Sequence, residues 1–373
     1  MQNKQEKTMS IASMAPDYIR SIMAYQPGKP ISELAREMGL AESSIVKLAS
    51  NENPLGMSPA ARDAARDAIG DVARYPDGGA FALKSALCNK FGLAPEQIVV
   101  GNGSNDILEL VSQAFLAPGL SAVYSQHAFA VYPLATHARG ARGIEVPARN
   151  FGHDLAAMLA AIRPQTRVVF VANPNNPTGT FVPGGELEAF ISAVPKHVLV
   201  VLDEAYTEYL APEQRYDAMA WVGRYPNLLV SRTFSKAYGL AGLRVGYAVT
   251  HPEVADLMNR VRQPFNVTSV GLAAAEAALG DEEFIARSAE INRRGMVQLT
   301  QAFAELGLEW IPSFGNFVTF KVGDAIGINQ ALLKQGVIVR PIAAYGMPHW
   351  LRVSIGLPEE NARFIAALRR ALS

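Results

Sequence analysis

Ser231-Arg-Thr-Phe-Ser-Lys-Ala-Tyr-Gly-Leu-Ala-Gly-Leu-Arg-Val-Gly-Tyr247 holds one lysine, Lys236, among small residues and hydroxyls. The apolar run Leu228 to Val230 leads into it as a buried strand does, and Leu243 to Val249 leads out. Lys236 therefore falls in the connection between two strands covered on both faces. In α/β sheets, such connections at strand ends are where sites are built.

A lysine in a loop is ordinarily a solvated charge. Here Thr233 and Ser235 add two hydroxyls, and Arg244 follows with a planar fork suited to phosphate oxygens. An amine beside a phosphate site points to pyridoxal 5'-phosphate: its aldehyde takes a lysine amine as a Schiff base, and its phosphate needs fixed donors.

Outward from this stretch, the 373 residues exceed the ~250–300 at which single cores stop growing, so two lobes are expected. With 49% apolar and 18% charged residues, the composition is that of a globular enzyme without disordered or repeat character. Thirty-four basic residues balance 34 acidic ones, leaving no basic excess for a nucleic-acid backbone or an anionic membrane. Cys88 is the one cysteine and has no internal disulfide partner, which fits a reducing compartment. The polar start Met1 to Thr8, with no long apolar segment after it, argues against a signal peptide or anchor; a cytoplasmic location is expected.

Residues 1 to 12 are expected as a flexible tail. A short helix is expected over Ala15 to Met23, an extended arm over Tyr25 to Pro30, and a helix over Ile31 to Met38. Pro59 onward alternates helices (Pro59 to Ile69, Phe81 to Phe91) with strands, as in a doubly wound sheet. The strand candidates are Ile98 to Val100, Ala122 to Tyr124, Val168 to Ala172, Val198 to Leu202, Leu228 to Val230 and Val245 to Val249. Beyond Asp281 a helical spacing of Phe284, Ile291, Leu299 and Phe303 opens a second, α+β lobe with strands at Phe317, Val337 and Leu351 and a final helix from Glu359. The expected division is an arm over 13–57 that contributes to the small domain and active site, a large cofactor-binding domain over 58–275 and a small domain over 276–373.

Several loops carry candidate chemistry. Gly103, Ser104 and Asn105 follow a strand and precede the helical run Ile107 to Phe115, so backbone N–H groups there can hold an anion; Ser104 or Asn105 as a plain N-cap is compatible with this. The turn formers Asn173 to Gly179 end a strand and aim Asn176 inward. Asp203 closes the next strand: a cap by default, but an ionised carboxylate beside a pyridine nitrogen favours that nitrogen's protonated form. Tyr206 and Asn176 can each donate to the ring's phenolate oxygen. The loop Leu48 to Gly56 makes Asn51 a candidate near substrate. Arg340 and Arg352 lie in apolar strand-like runs, as structural ion pairs or as receptors for carboxylate and phosphate. No hydrolase triad or recurring Cys/His metal spacing is evident.

Taken together, Asn51-Glu-Asn-Pro-Leu-Gly56, Gly103-Ser-Asn105, Asn173 to Gly179, Asp203-Glu-Ala-Tyr206, Thr233-Phe-Ser-Lys236, Gly242-Leu-Arg244 and Leu351 to Gly356 resemble, in family order, the fold type I pyridoxal-phosphate aminotransferases of class II, and within them the branch acting on histidinol phosphate. The resemblance covers nearly all the chain from Tyr25. It implies an α/β fold with a mostly parallel seven-stranded sheet plus a small α+β domain, and a homodimer with shared active sites in which Tyr75 reaches the neighbour's cofactor phosphate. It also puts Phe129, where many relatives carry tyrosine, on the cofactor ring. The implied reaction is a ping-pong exchange of an amino group between L-histidinol phosphate and 2-oxoglutarate in histidine biosynthesis. Lys236 carries the cofactor, Arg352 takes the glutamate α-carboxylate, and Tyr25 and Arg340 take the substrate phosphate. An aromatic amino-acid aminotransferase on the same scaffold is the alternative.

Overall fold

The computed structural model describes residues 10–24 and 28–373. Its strands are β1 (Val46–Lys47), β2 (Ile98–Gly101), β3 (Ser121–Ser125), β4 (Arg142–Val146), β5 (Thr166–Ala172), β6 (Leu199–Asp203), β7 (Leu228–Thr233), β8 (Gly246–Thr250), β9 (Trp310–Ile311), β10 (Phe317–Lys321), β11 (Val337–Ile338), β12 (Arg340–Pro341) and β13 (Trp350–Ser354). Seven of them form one sheet in the order β2-β8-β7-β6-β5-β3-β4. All neighbours are parallel except where β8 meets β2 and β7.

Alternation along the strands explains why both faces are dry. Val169 and Val171 of β5, Val200 and Leu202 of β6, and Leu228 and Val230 of β7 enter one core. The residues between them, Val168, Phe170, Leu199, Val201 and Leu229, enter a second core on the opposite face. Side chains alternate with period two, so a strand buried on both faces has no polar position to spare.

Register then sets where chemistry can occur. Ala172 pairs with Asp203, Asp203 with Ser231, Thr233 with Gly246, and Gly246 with Gly101. The carboxyl ends of β2, β5, β6 and β7 thus lie along one edge, together with the start of the antiparallel β8. The loops that leave this edge carry the candidate residues.

A third core is built on the four-stranded antiparallel sheet β12-β13-β10-β9 from Val318, Phe320, Leu351, Val353 and Phe364, with Leu299 and Phe303 of the helix Glu282–Glu305. The N-terminal segment joins it: β1 pairs with β11, and the Leu48 carbonyl accepts from the Ser354 N–H at 2.8 Å.

Four expectations need correction. The boundary drawn at 275/276 falls inside the helix Ser269–Gly280, whose Ala278 and Leu279 remain in the first core, and Ile285 of the next helix still packs against that core. The helix expected over Ala15 to Met23 is a single turn, Asp17–Arg20, none of whose residues is buried; a turn that leaves its Tyr18 and Ile19 exposed gains little from packing. β4 was absent from the expected strands because its edge position leaves Arg142 and Glu145 exposed. The helix expected from Ile107 starts at Ser104 with Gly103 as N-cap, so neither Ser104 nor Asn105 is the cap. Residues 1–9 of the expected tail, and Tyr25 to Pro27 of the arm, lie outside the described residues.

Candidate active site

One cavity at the sheet edge is bordered by Asn51, Ser104, Asn105, Phe129, Asn176, Asp203, Tyr206, Thr233, Ser235, Lys236, Arg244, Arg340 and Arg352. Of the remaining sequence candidates, Gly103 and Tyr75 do not border it, and Tyr25 is outside the described residues.

Lys236 is held by a fit between two loops. Gly239, at φ 71°, lies so close to Gly56 that a Cβ would collide with its carbonyl, and Asn53 Nδ2 donates to the Ala237 carbonyl at 2.7 Å and to Ser288 Oγ at 2.8 Å. Only glycine permits that approach and that backbone together. The Lys236 amine donates to the Ser50 carbonyl at 3.1 Å. Burial, and then the Arg352 charge, lower its pKa to about 8, so the neutral amine is well populated in mildly alkaline solution.

Asp203 is 5% exposed at the end of β6. Its Oδ2 accepts from Tyr132 Oη at 2.9 Å, while the enclosed Oδ1 has no partner among protein atoms. Burial pushes its pKa up to about 6, with the Tyr132 hydrogen bond opposing the rise; the carboxylate is still mostly ionised at neutral pH. The Tyr206 hydroxyl accepts from Asn51 Nδ2 at 3.0 Å, and burial raises its pKa to about 12, keeping it protonated. Asn51 in turn is fixed from the C-terminal sheet, its backbone N–H donating to Ser354 Oγ at 2.8 Å and its carbonyl accepting from Asn316 at 2.9 Å.

An anion cup lies at the β2 and β8 end. The first N–H groups of the helix Ser104–Phe115 have no acceptor within their own helix and carry the positive end of its dipole. Arg244 Nη1 approaches Ser235 Oγ at 3.4 Å, and Thr233 Oγ1 accepts from the Ser235 N–H at 3.1 Å. Two glycines make the cup possible. A Cβ on Gly103 would fall 2.5 Å from Arg244 Nη2, and one on Gly246 would fall 2.5 Å from the Ser104 nitrogen. Gly103, expected as a contact residue, therefore stands behind Arg244 and makes room for it.

Across the cavity, Arg340 and Arg352 are register partners in β12 and β13, so their side chains leave one face of the sheet. Arg352 is clamped: Nη2 donates to the Ala49 carbonyl at 2.8 Å, Nη1 donates to Asn176 Oδ1, and its guanidinium carbon lies 5.3 Å from the Phe317 ring centroid. Two guanidinium groups on one wall suit anionic substrates.

Sequence reasoning missed Tyr132, Ser50 and Ser354. Tyr132 lies three residues after Phe129, nearly one helical turn, which is a usable signal; the others act through backbone or through partners distant in sequence. Tyr75 is 82% exposed and stacks on Phe265 with centroids 4.8 Å apart. Among the described residues, no cluster of His, Cys, Asp and Glu is placed to hold a metal ion, and no helix is long and apolar enough to cross a membrane.

The donor set fits pyridoxal phosphate: an amine of lowered pKa, a carboxylate oxygen lacking a partner, an aromatic wall and an anion cup. Residues 43–368 match the family model for aminotransferase class I and II. Over 362 residues the chain is 64% identical to histidinol-phosphate aminotransferase 1 of Thiobacillus denitrificans, covering 97% of this chain and 94% of that protein. It is 62% identical over 373 residues to histidinol-phosphate aminotransferase 1 of Cupriavidus pinatubonensis, covering 99% of each. The crystal structure of histidinol-phosphate aminotransferase from Sinorhizobium meliloti in complex with pyridoxal-5'-phosphate superposes with a TM-score of 0.89 at 30% identity, covering 96% of this chain and 98% of that one.

Proposed function

The chain belongs to the class I and II aminotransferases, a pyridoxal-phosphate-dependent family, and on that premise we propose that it exchanges an amino group between L-histidinol phosphate and 2-oxoglutarate, a step of histidine biosynthesis. The observation that carries the reading is Asp203, an enclosed carboxylate with one oxygen left over, bordering the same cavity as a lysine amine of lowered pKa. Relatives more than 60% identical over nearly the full chain support the substrate assignment.

When bound, pyridoxal phosphate supplies an aldehyde that condenses with amines and a ring that withdraws electrons from the substrate carbon. Lys236 Nζ would hold the cofactor and, once free, would take the proton from the substrate carbon, a task suited to an amine of pKa about 8. Asp203 Oδ1 would accept the ring N–H and favour its protonated form. Phe129 offers its face to the ring. Ser104, Asn105, Thr233, Ser235 and Arg244 hold the cofactor phosphate, while Tyr206 and Asn176 orient the ring oxygen. Arg352 takes the glutamate α-carboxylate, and Arg340 the phosphate of histidinol phosphate, with Tyr25 beside it.

The proposal includes a cytoplasmic homodimer with shared sites. Exposed Ile69, Val72, Tyr75, Phe81 and Phe265 support it, since aromatic and aliphatic side chains of this size are costly to leave in water. A substrate panel tests the function. With 2-oxoglutarate as acceptor, histidinol phosphate should be used far better than phenylalanine or tyrosine; a preference for the aromatic amino acids would assign the chain to the alternative activity.

A further inference from the structure

Asp203 accepts a hydrogen bond from a residue outside the cavity wall. Tyr132 lies near the start of the helix Val131–His137, wholly buried, its ring stacked on Phe170 with centroids 4.8 Å apart and planes 6° from parallel. Its edge meets Phe129 at 5.9 Å and 86°. The hydroxyl of this packed ring is directed at one acceptor, Asp203 Oδ2, at 2.9 Å.

We propose that Tyr132 is a positioning residue for the transamination: by donating to Oδ2 it turns the Asp203 carboxylate so that Oδ1 meets the cofactor's ring nitrogen, and it keeps that carboxylate ionised. The inference rests on the role assigned to Asp203 above.

A hydrogen bond directed at a charged carboxylate favours the ionised form. Other groups face Asp203 as well. From its own segment these are the Ala205 N–H, Glu204 and Tyr206; from the loop after β7, Lys236; its register neighbour on β5, Ala172, is apolar. Tyr132 is the foremost of those opposing the effect of burial, ahead of the Lys236 charge, and the Glu204 carboxylate is engaged by Arg232 at 2.8 Å. Tyr132 cannot fail by ionising: burial, and then the Asp203 charge, hold its phenol well above the ordinary range, so the hydroxyl remains a donor at any working pH. Its ring contacts fix the direction of that donor. Phenylalanine at 132 keeps the stacking and removes only the hydroxyl, which separates positioning from packing.

The test measures pyridoxal phosphate affinity, without turnover, across pH 5.5 to 8.5. It uses full-length protein stripped of cofactor in four forms: unaltered, Tyr132→Phe, Asp203→Asn and the double variant. Ionisation of the cofactor phosphate and of the Lys236 amine, which titrates near 8, is present in all four forms and is distinguished from the limb near 6 by comparison with Asp203→Asn. The unaltered protein should lose affinity as pH falls through about 6, where Asp203 takes a proton. Tyr132→Phe should move this limb upward by about one pH unit, the shift expected for one lost hydrogen bond to a charged group. Asp203→Asn and the double variant should lack the limb and coincide. If Tyr132→Phe titrates with the unaltered protein while Asp203→Asn loses the limb, Tyr132 only packs and the inference is overturned, with the Asp203 role intact. If Asp203→Asn keeps the limb, the Asp203 role falls and the inference with it.

Discussion

Replacing Arg340 by alanine separates the two substrates. Arg340 begins β12 and is paired in register with Arg352, so truncation leaves the strand backbone in place and removes one of two guanidinium groups from the same wall. Arg352 is anchored by the Ala49 carbonyl and Asn176 and stays where it is. A charge-assisted bond to a phosphate contributes roughly 1.5–3 kcal/mol, and each 1.36 kcal/mol is tenfold, so kcat/KM for histidinol phosphate should fall about ten- to a hundredfold. Glutamate, whose α-carboxylate is assigned to Arg352, should lose less than about threefold, because only the longer-range field of Arg340 is removed. Single-turnover and steady-state kinetics on the two half-reactions measure both numbers. Equal losses for both substrates would refute the division of labour and make the arginine pair one shared anion receptor.

Asp203→Asn should keep the fold yet slow turnover by ~10²–10⁴-fold, as a lost proton-linked partner does; near-normal turnover with cofactor bound would reduce Asp203 to a strand-end cap. Mixing inactive Tyr75→Ala and Lys236→Ala proteins should restore activity through hybrid dimers with one complete site, and failure despite demonstrated subunit exchange would show that Tyr75 does not serve a neighbour's site. Arg232→Met leaves Glu204, fully enclosed, without its counter-charge and should cost about 3–5 kcal/mol in denaturant unfolding; a loss below about 1 kcal/mol would mean that the pair is not a stabilising element.

Much of the fold was legible because the stretches Val168 to Ala172, Leu199 to Leu202 and Leu228 to Val230, within β5, β6 and β7, are covered on both faces and so read as uncharged apolar runs. β4 was not, since at the sheet's edge Arg142 and Glu145, three residues apart and so on opposite faces, are both exposed and break the apolar pattern. The residues gathered at the cavity were legible where a motif places polar groups at a strand end, as with Asp203 after Leu202 or Lys236 after β7. The contacts that fix them were harder to read. Asn51 reaching Tyr206, Ser354 reaching Asn51, and Tyr132 reaching Asp203 each join segments far apart in the chain. Packing of loops and helices against the strand ends brings such pairs together, and it is a property of the assembled fold. Gly103 was legible as a glycine in a loop before a helix, but not that its missing Cβ leaves space for the Arg244 guanidinium.

Every role proposed for the cavity depends on Lys236 as the residue that carries the cofactor. Pyridoxal phosphate added to the purified protein, borohydride reduction to make the linkage permanent, and peptide mass mapping test this directly. The pyridoxyl mass should appear on the peptide containing Lys236 and disappear in Lys236→Ala; its recovery on another lysine, or an unchanged visible absorbance in Lys236→Ala, would contradict it.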